Sequence, residues 1–448
     1  MKGCRILSET EKLHFIGAGG IGMSALAQYA LACGKKVSGS DCAANEQVKK
    51  LSALGVKIAL GHERGNARGA DAVVYTSAVA DDNPELQFAR DNGKLILKRA
   101  EFLRCVEQAH RLSVAVSGCH GKTTTTAMLA HMYLCANKSA TCMIGGEDLT
   151  LGNFTYGEDV FLTEACEYKR NFLYLTPDVA VVLNIDNDHL DCYKNMDELI
   201  AAYREFAGNG IAVVNADDEN AMRAAGQNSV SFGIKNPAMY GAENIKKDAH
   251  NRYSFTFTEY GMKKERVNLN VAGLHNVYNA LAAVAAARNS GLTAAEAARG
   301  AEHFKGVKRR NEVIGEIAGV KIVADYAHHP KEIAGALSAA KKPLVVFQPH
   351  TYSRTRLLME DFCAALEGFS VVVYPTYAAR EQYDFAGSAY ALCSALKERG
   401  ADAAYAENVG RLMAKIEERA ADFSEIYLLG AGDLYDEVTK RLKKYDKV

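Results

Sequence analysis

The chain has no tryptophan, only 7 prolines in 448 residues, and no C-x-x-C pair among its 11 cysteines. Scattered thiols, odd in number and without metal-type spacing, exclude zinc-ribbon and disulfide-framework classes and predict free thiols in a reducing cytoplasm. No apolar run approaches the roughly 20 residues of a membrane helix, and the opening segment Met1–Thr10 is too polar for a signal peptide. An excess of charge of one sign is missing as well: 53 basic and 54 acidic residues leave a formal net charge of -1. No global field draws nucleic acid or an anionic bilayer, so phosphate recognition has to be local. Internal repeats and low-complexity segments are absent too. A cytoplasmic protein, monomeric or weakly homodimeric, without nucleic-acid partner or membrane insertion, is the expectation.

What is present is strand–helix alternation from end to end, the pattern of parallel sheets covered by helices. Leu13–Ile16, Lys36–Gly39, Ala72–Thr76 and Lys94–Leu97 read as strands, with helical segments at Ile21–Cys33, Glu46–Leu54, Asn83–Asp91 and Ala100–Ala109. The pattern restarts at the strand Arg111–Val116 and helix Lys122–Cys135, followed by strands Val160–Thr163, Val179–Leu183 and Ile211–Asn215. A period of two at Tyr253–Thr258 and Arg266–Asn270 predicts antiparallel strands, and Ala-rich helices follow at His275–Asn289 and Thr293–Phe304. A second restart brings strands at Lys321–Ala324, Leu344–Phe347, Val371–Tyr374 and Ile426–Leu429. At roughly 150 residues per domain the length suits three α/β domains, drawn at residues 1–108, 109–310 and 311–448.

Two glycine loops stand between a strand and a helix. Gly17-Ala-Gly19-Gly20-Ile21-Gly22 fits G-x-G-x-x-G, with Asp41 at the end of the next strand placed to accept a ribose hydroxyl. Three readings fit it: NAD or FAD, another diphosphate nucleotide such as a UDP-sugar, or a turn needed only for packing. The second loop, Gly118-Cys119-His120-Gly121-Lys122-Thr123-Thr124, is a short P-loop; the usual Walker spacing asks for glycine where Val116 stands. Its N–H groups can cradle phosphate, Lys122 can reach terminal oxygens and Thr123 can ligate Mg²⁺, which makes ATP the nucleotide. Glu164 and Glu167 close one strand, and Asn184-Ile-Asp186-Asn-Asp188-His189-Leu-Asp191 closes the next. Ligands gather at such strand ends. Glu164 and His189 are the metal candidates there, and the aspartates read equally as solvated loop residues.

Further along, Asn276 and Asn279 share a helix face at i, i+3 and can meet a purine edge or cap the helix. Arg309 and Arg310 form a basic turn. His328 and His329 precede Pro330 and point in different directions, so at most one is catalytic. Arg354 and Arg356 follow Gln348–His350 at a strand end, and Arg380 follows the strand Val371–Tyr374.

Taken in order, these segments resemble the Mur ligases: Gly17–Gly22 with Gly39-Ser-Asp41, Gly-Cys-His-Gly-Lys-Thr-Thr-Thr-Thr, Glu-Ala-Cys-Glu and Asn-Ile-Asp-Asn-Asp-His-Leu-Asp. So do Gly273-Leu-His-Asn276-Val-Tyr-Asn279, Lys308-Arg-Arg310, Asp325-Tyr-Ala-His-His-Pro330, Gln348-Pro-His350-Thr-Tyr-Ser-Arg354 and Tyr377-Ala-Ala-Arg380. The resemblance implies a Rossmann-like UDP-sugar domain, a central mononucleotide-binding ATPase domain and a Rossmann-like third domain that closes over the site. It implies ATP- and Mg²⁺-dependent joining of L-alanine to the lactyl carboxylate of UDP-N-acetylmuramate through an acyl phosphate. The implied UDP side is Gly17, Gly19, Gly20, Ile21, Gly22, Asp41 and Ser77; the metal side is Thr123, Glu164 and His189. ATP would meet residues 118–124, Asn276, Asn279, Arg310 and Asp325, while Tyr326, His328, His350, Arg354 and Arg380 would serve the junction of amino acid and muramyl group. Lys122, His189, Arg310, His328 and Arg354 are the residues expected to carry the chemistry.

The sequence departs from the family at Thr351, where many members carry Arg, and in Cys166-Glu-Tyr-Lys-Arg170, often richer in Asp. It lacks a lysine near Glu198–Ala202, where related ligases carry a carbamylated one. Three other readings compete: a ligase for a recycled peptide on the same UDP-sugar, an NAD(P)-dependent oxidoreductase fused to an ATPase, and a nucleotide-driven regulatory switch without ligase chemistry.

Overall fold

Short runs of β-branched and aliphatic residues bounded by glycine and polar turns make the sheets. Val179–Val182 and Pro343–Phe347 are buried at every position, as strands covered on both faces must be. The computed structural model describes residues 5–186, 192–338, 340–379 and 381–445. It contains three sheets, of five, ten and six strands, and the expected α/β class holds throughout. Two compact units divide at Lys305 and Gly306.

The N-terminal unit carries two sheets. In the first, all strands are parallel in the order Lys57–Leu60, Lys36–Asp41, Lys12–Ile16, Ala72–Tyr75, Leu95–Lys98. The chain order reverses at Lys12–Ile16, which leaves a crevice at its carboxyl end. The second sheet has Leu112–Ser117 between Val179–Val182 and Val160–Glu164, again all parallel. Another reversal therefore lies where the second glycine loop begins. Antiparallel strands Arg252–Glu259 and Met262–Ala272 flank this sheet, as the period of two predicts.

Helix Ile21–Ala32 packs against strand Gly152–Thr155 of the second sheet. Asn153, fully buried, joins the two: its amide donates to Ile21 O (3.0 Å) and Ser24 Oγ (2.9 Å), and its carbonyl accepts from Lys50 Nζ (2.7 Å) and Gln28 Nε2 (3.3 Å). An amide with its donors and acceptor engaged fixes register rather than merely filling space.

The C-terminal unit, Gly306–Val448, holds the six-stranded sheet. Val320–Asp325, Glu425–Leu429, Pro343–Phe347, Ser370–Val373 and Ala403–Tyr405 are parallel, and Glu312–Ile317 runs antiparallel along one edge. No helix among the described residues is long and apolar enough to cross a membrane.

Two expectations change. Strand Ala140–Asp148 was not anticipated, because Gly145-Gly-Glu-Asp ends its apolar run with residues that normally signal a turn. Among the described residues nine cysteines are free, but Cys105 is disulfide-bonded. Sequence spacing says nothing about which thiols the fold brings within bonding distance.

Candidate active site

The first cradle grows from strand Lys12–Ile16. Gly17 and Ala18 donate their N–H groups to Ser40 O (2.9 and 3.0 Å), and Gly19 N–H donates to Asp41 Oδ2 (2.8 Å). Asp41 thus braces the loop, and its other oxygen accepts from Ala43 N–H at 3.1 Å. Helix Ile21–Ala32 begins at Gly20 with no side-chain cap, so its first N–H groups point outward for an anion. Beside them lies a cavity of ≈ 320 Å³ lined by Gly20, Ile21, Gly22, Thr76 and Arg99 on one side and Gly145 and Glu164 on the other. Thr76 lines this cavity, whereas Ser77 stands in the exposed turn that follows.

The second cradle is tighter. Gly121 takes φ 88°, and a Cβ there would lie 2.4 Å from Asn279 Oδ1, so no other residue fits. Asn184 clamps the loop from the neighbouring strand end, accepting from His120 N–H (2.8 Å) and donating to His120 O (3.0 Å). Lys122 points back into the loop, bonded to Gly118 O and 3.2 Å from both oxygens of Glu167. Burial opposes its charge, but Glu167 together with Cys166, Cys119 and Glu164 outweighs that and holds the ammonium above the usual lysine range. Thr123 and Thr124 are buried in the first helical turn. Asn276 and Asn279 share a face as expected: Asn279 donates to Asn276 Oδ1 (3.0 Å), and Asn276 donates to Ala272 O (2.7 Å).

Glu164 pairs in register with Val116, so its carboxylate stands beside the start of the P-loop. Gly145 N–H donates to Glu164 Oε1 at 2.6 Å, and a Cβ on Gly145 would fall 2.5 Å from that oxygen. A Thr hydroxyl and a carboxylate at one strand–helix junction are hard oxygen donors that suit Mg²⁺. His189, Asp188, Asp191 and Arg380 lie outside the described residues. Sequence reasoning left Glu167, Gly145, Asn184 and Arg99 out of the site. Glu167 and Asn184 sit inside noted motifs, but their roles follow only from which backbone they meet.

In the C-terminal unit the strand ends gather a second set. Asp325 accepts from Asn311 N–H (2.8 Å) and Ala327 N–H (2.9 Å); burial pushes its carboxyl up, against the pull of Arg310. Arg309 is bound to Gly430 O (2.8 Å) and Gly432 O (2.9 Å), while the Arg310 guanidinium lies 5.2 Å from the Tyr326 ring centre. His329 begins helix Pro330–Leu337 as its cap residue. His328 Nδ1 faces Tyr326 O at 3.0 Å. Glu332 Oε2 stands 3.1 Å from the same nitrogen, and because a carbonyl and a carboxylate only accept, Nδ1 carries a proton. His350 stacks on Tyr377 (5.5 Å) and meets His328 edge-on (5.6 Å). Burial, His328 and Arg354 together push it down to about 4, so it is neutral at pH 7. Thr351, with φ 56°, is a β-branched residue in the left-handed region at the start of the helix carrying Arg354. Arg356 is taken up by Asp384 at 2.8 Å.

A P-loop with a paired lysine, carried in one compact unit with a second glycine-loop cradle, is the arrangement of a nucleotide-driven enzyme. The Mur ligase family catalytic domain matches residues 12–111, the Mur ligase middle domain residues 116–287 and the Mur ligase glutamate ligase domain residues 309–432. The UDP-N-acetylmuramate–L-alanine ligase of Clostridium acetobutylicum is 40% identical over 441 residues, 95% of this chain and 96% of that one. The crystal structure of the UDP-N-acetylmuramate–alanine ligase of Thermotoga maritima, 30% identical, superposes with a TM-score of 0.83 over 97% of this chain and 99% of that one. The UDP-N-acetylmuramate:L-alanyl-gamma-D-glutamyl-meso-diaminopimelate ligase of Neisseria meningitides is 26% identical, with a TM-score of 0.60 over 67% of this chain and 99% of that one. The chain belongs to the Mur ligase family and is an ATP-dependent ligase with that family's three domains.

Proposed function

We propose that the chain joins L-alanine to the lactyl carboxylate of UDP-N-acetylmuramate, forming UDP-N-acetylmuramoyl-L-alanine, ADP and phosphate. The observation that carries this reading is a cavity bounded by the uncapped helix start at Gly20–Gly22 and by Glu164 beside the P-loop. Full-length likeness to ligases named for alanine supports the choice of acceptor.

A carboxylate does not acylate amines because oxide is too poor a leaving group. Transfer of the ATP γ-phosphoryl to a carboxylate oxygen gives an acyl phosphate and ADP. The alanine amine then attacks the carbonyl carbon and phosphate departs. Such transfer asks for in-line positioning and charge compensation rather than covalent help. Lys122 supplies fixed positive charge at the loop, and Arg310 is assigned to the same phosphates. Thr123 and Glu164, with His189, are the residues assigned to Mg²⁺, which would neutralise phosphate charge. Asn276, Asn279 and Asp325 are assigned to the adenosine; Tyr326, His350, Arg354 and Arg380 to the amino acid and muramyl group. His328 is assigned to take the proton that the amine sheds. We place the enzyme in the cytoplasm, with its nucleotide substrates, as a monomer or weak homodimer.

Phosphate release measured with UDP-N-acetylmuramate, with and without L-alanine, tests the reading. Release that depends on both substrates is the expected result. Faster turnover with a free tripeptide in place of alanine would instead assign the chain to peptide recycling, and nicotinamide reduction without phosphate release would overturn ligase chemistry.

A further inference from the structure

The carboxyl ends of two neighbouring strands in the first sheet bring a thiol to an imidazole. Strands Lys36–Asp41 and Lys57–Leu60 pair with Asp41 opposite Leu60, and Gly61 N–H then donates to Asp41 O at 2.9 Å. The residues that follow, Cys42 and His62, therefore meet, with Cys42 Sγ 3.3 Å from His62 Nε2. On the other side of the ring, His62 Nδ1 faces Glu85 Oε1 at 2.8 Å. Glu85 is fully buried at the start of helix Pro84–Asp91. Burial pushes its carboxyl up, but hydrogen bonds with His14, His62 and Ser40 outweigh that and hold it below the usual carboxylate range. A carboxylate only accepts, so Nδ1 of His62 carries a proton and Nε2 is the nitrogen turned to sulfur. A carboxylate that served packing alone would be satisfied by His14 (2.6 Å), Ser40 (2.8 Å) and Asn66 (3.3 Å). His62 instead carries the chain of hydrogen bonds out of the core to a thiol at the surface. Among the described residues Cys42 is the only free cysteine that is exposed. Burial pushes the thiols of Cys33, Cys135, Cys363 and Cys393 up, which keeps them protonated and slow to react.

We propose that Cys42 is a nucleophilic thiol, activated by His62 and Glu85, and a site of reversible modification by low-molecular-weight disulfides. Thiol, imidazole and buried carboxylate stand in line, each within reach of the next, as an activated nucleophile requires. The thiol proton passes to His62 Nε2 as the sulfur attacks one sulfur of the disulfide. The S–S bond of the reagent breaks, a bond from Cys42 to the attacked sulfur forms, and the departing thiolate takes the proton from the ring. One disulfide is consumed and one is formed, so no other oxidant or reductant enters.

The test is the rate at which hydroxyethyl disulfide, a small uncharged probe, forms an adduct at Cys42, located by mass spectrometry of the fragment that carries it. The full-length wild type is compared with His62→Gln and with a synthetic peptide of residues 38–46, which holds the same thiol and neighbours without the imidazole. Cys42 in the wild type is expected to react about tenfold faster than the peptide, and His62→Gln to fall about tenfold, back to the peptide rate. Urea midpoints check that the variant is folded. A wild-type rate no greater than that of the peptide would overturn the proposal, as would a folded His62→Gln reacting as fast as wild type. Should His62→Gln fail to fold, the comparison of wild type with peptide decides alone, since it needs no variant.

Discussion

The two glycine loops of the N-terminal unit begin alike, each leaving a buried parallel strand for a helix, and diverge in how they handle charge. Gly118–Lys122 contains its own cation, already neutralised by Glu167 at 3.2 Å, and is gripped by Asn184 and Asn279. Gly17–Gly22 contains no cation; an acidic residue, Asp41, braces it from inside at 2.8 Å. The first loop suits holding a diphosphate that does not react, and the second suits a phosphoryl group whose charge shifts during transfer. Similar backbone therefore does not mean similar work. The side chains that the fold brings to each loop decide it.

Four experiments would break or sharpen that contrast. The largest effect is expected for Lys122→Met, which should lower phosphate release by roughly a thousandfold while UDP affinity, measured by calorimetry, stays at wild type; parallel loss of both would erase the distinction. Gly145→Val puts side-chain atoms where the Glu164 carboxylate sits, given the 2.5 Å approach. About a hundredfold lower turnover, with half-saturation moved to higher Mg²⁺, is expected, and an unchanged Mg²⁺ titration would remove Glu164 from the metal site. Arg354→Ala should reduce coupled turnover about tenfold with a smaller change in ATP affinity. Its neighbour Arg356, in an exposed pair with Asp384, is the control: Arg356→Ala should shift stability by no more than about 0.5 kcal/mol and leave turnover unaffected.

The smallest effect concerns stability, and here the two compact units should respond to pH in opposite senses. Glu107, on helix Arg99–Gln108, is buried with Oε1 lacking a hydrogen-bond partner; burial pushes it from the usual 4.5 up to about 7, with help from Asp178 and against a hydrogen bond from Thr176 N–H. The unfolded chain releases that proton first, so the stability it confers is present below 4.5 and lost as pH rises through 7. His350 runs the other way. Its pKa falls from the usual 6.5 to about 4, so the stability linked to its neutral ring is present above 6.5 and lost as pH falls toward 4. Urea midpoints across pH 4–8 should flatten in the first window for Glu107→Gln and in the second for His350→Gln. Unaltered slopes in either variant would show that other groups set the response.

The architecture was largely legible because buried parallel strands leave uninterrupted apolar runs: Ile211–Asn215 and the helices Lys122–Cys135 and His275–Asn289 have the bounds their patterns predict. Ser229–Gly233 and Tyr240–Lys247 escaped, being polar or glycine-containing at many positions. At the site, Gly121, Lys122 and Glu164 were legible as motif residues. Thr76 lines the cavity wall, and Ser77, the residue expected on the UDP side, stands in the exposed turn beside it.

From the order of residues alone came the alternation of elements, the two loops and the nucleotide chemistry of the second, because hydrophobic period and glycine spacing act over a few residues of chain. Only the folded chain could decide that Glu167 answers Lys122, that Gly145 seats Glu164, and that Arg99 lies along a helix start far from it in sequence. Those are contacts across separate strands and helices, and electrostatic partnership depends on distance through space, which no local pattern records.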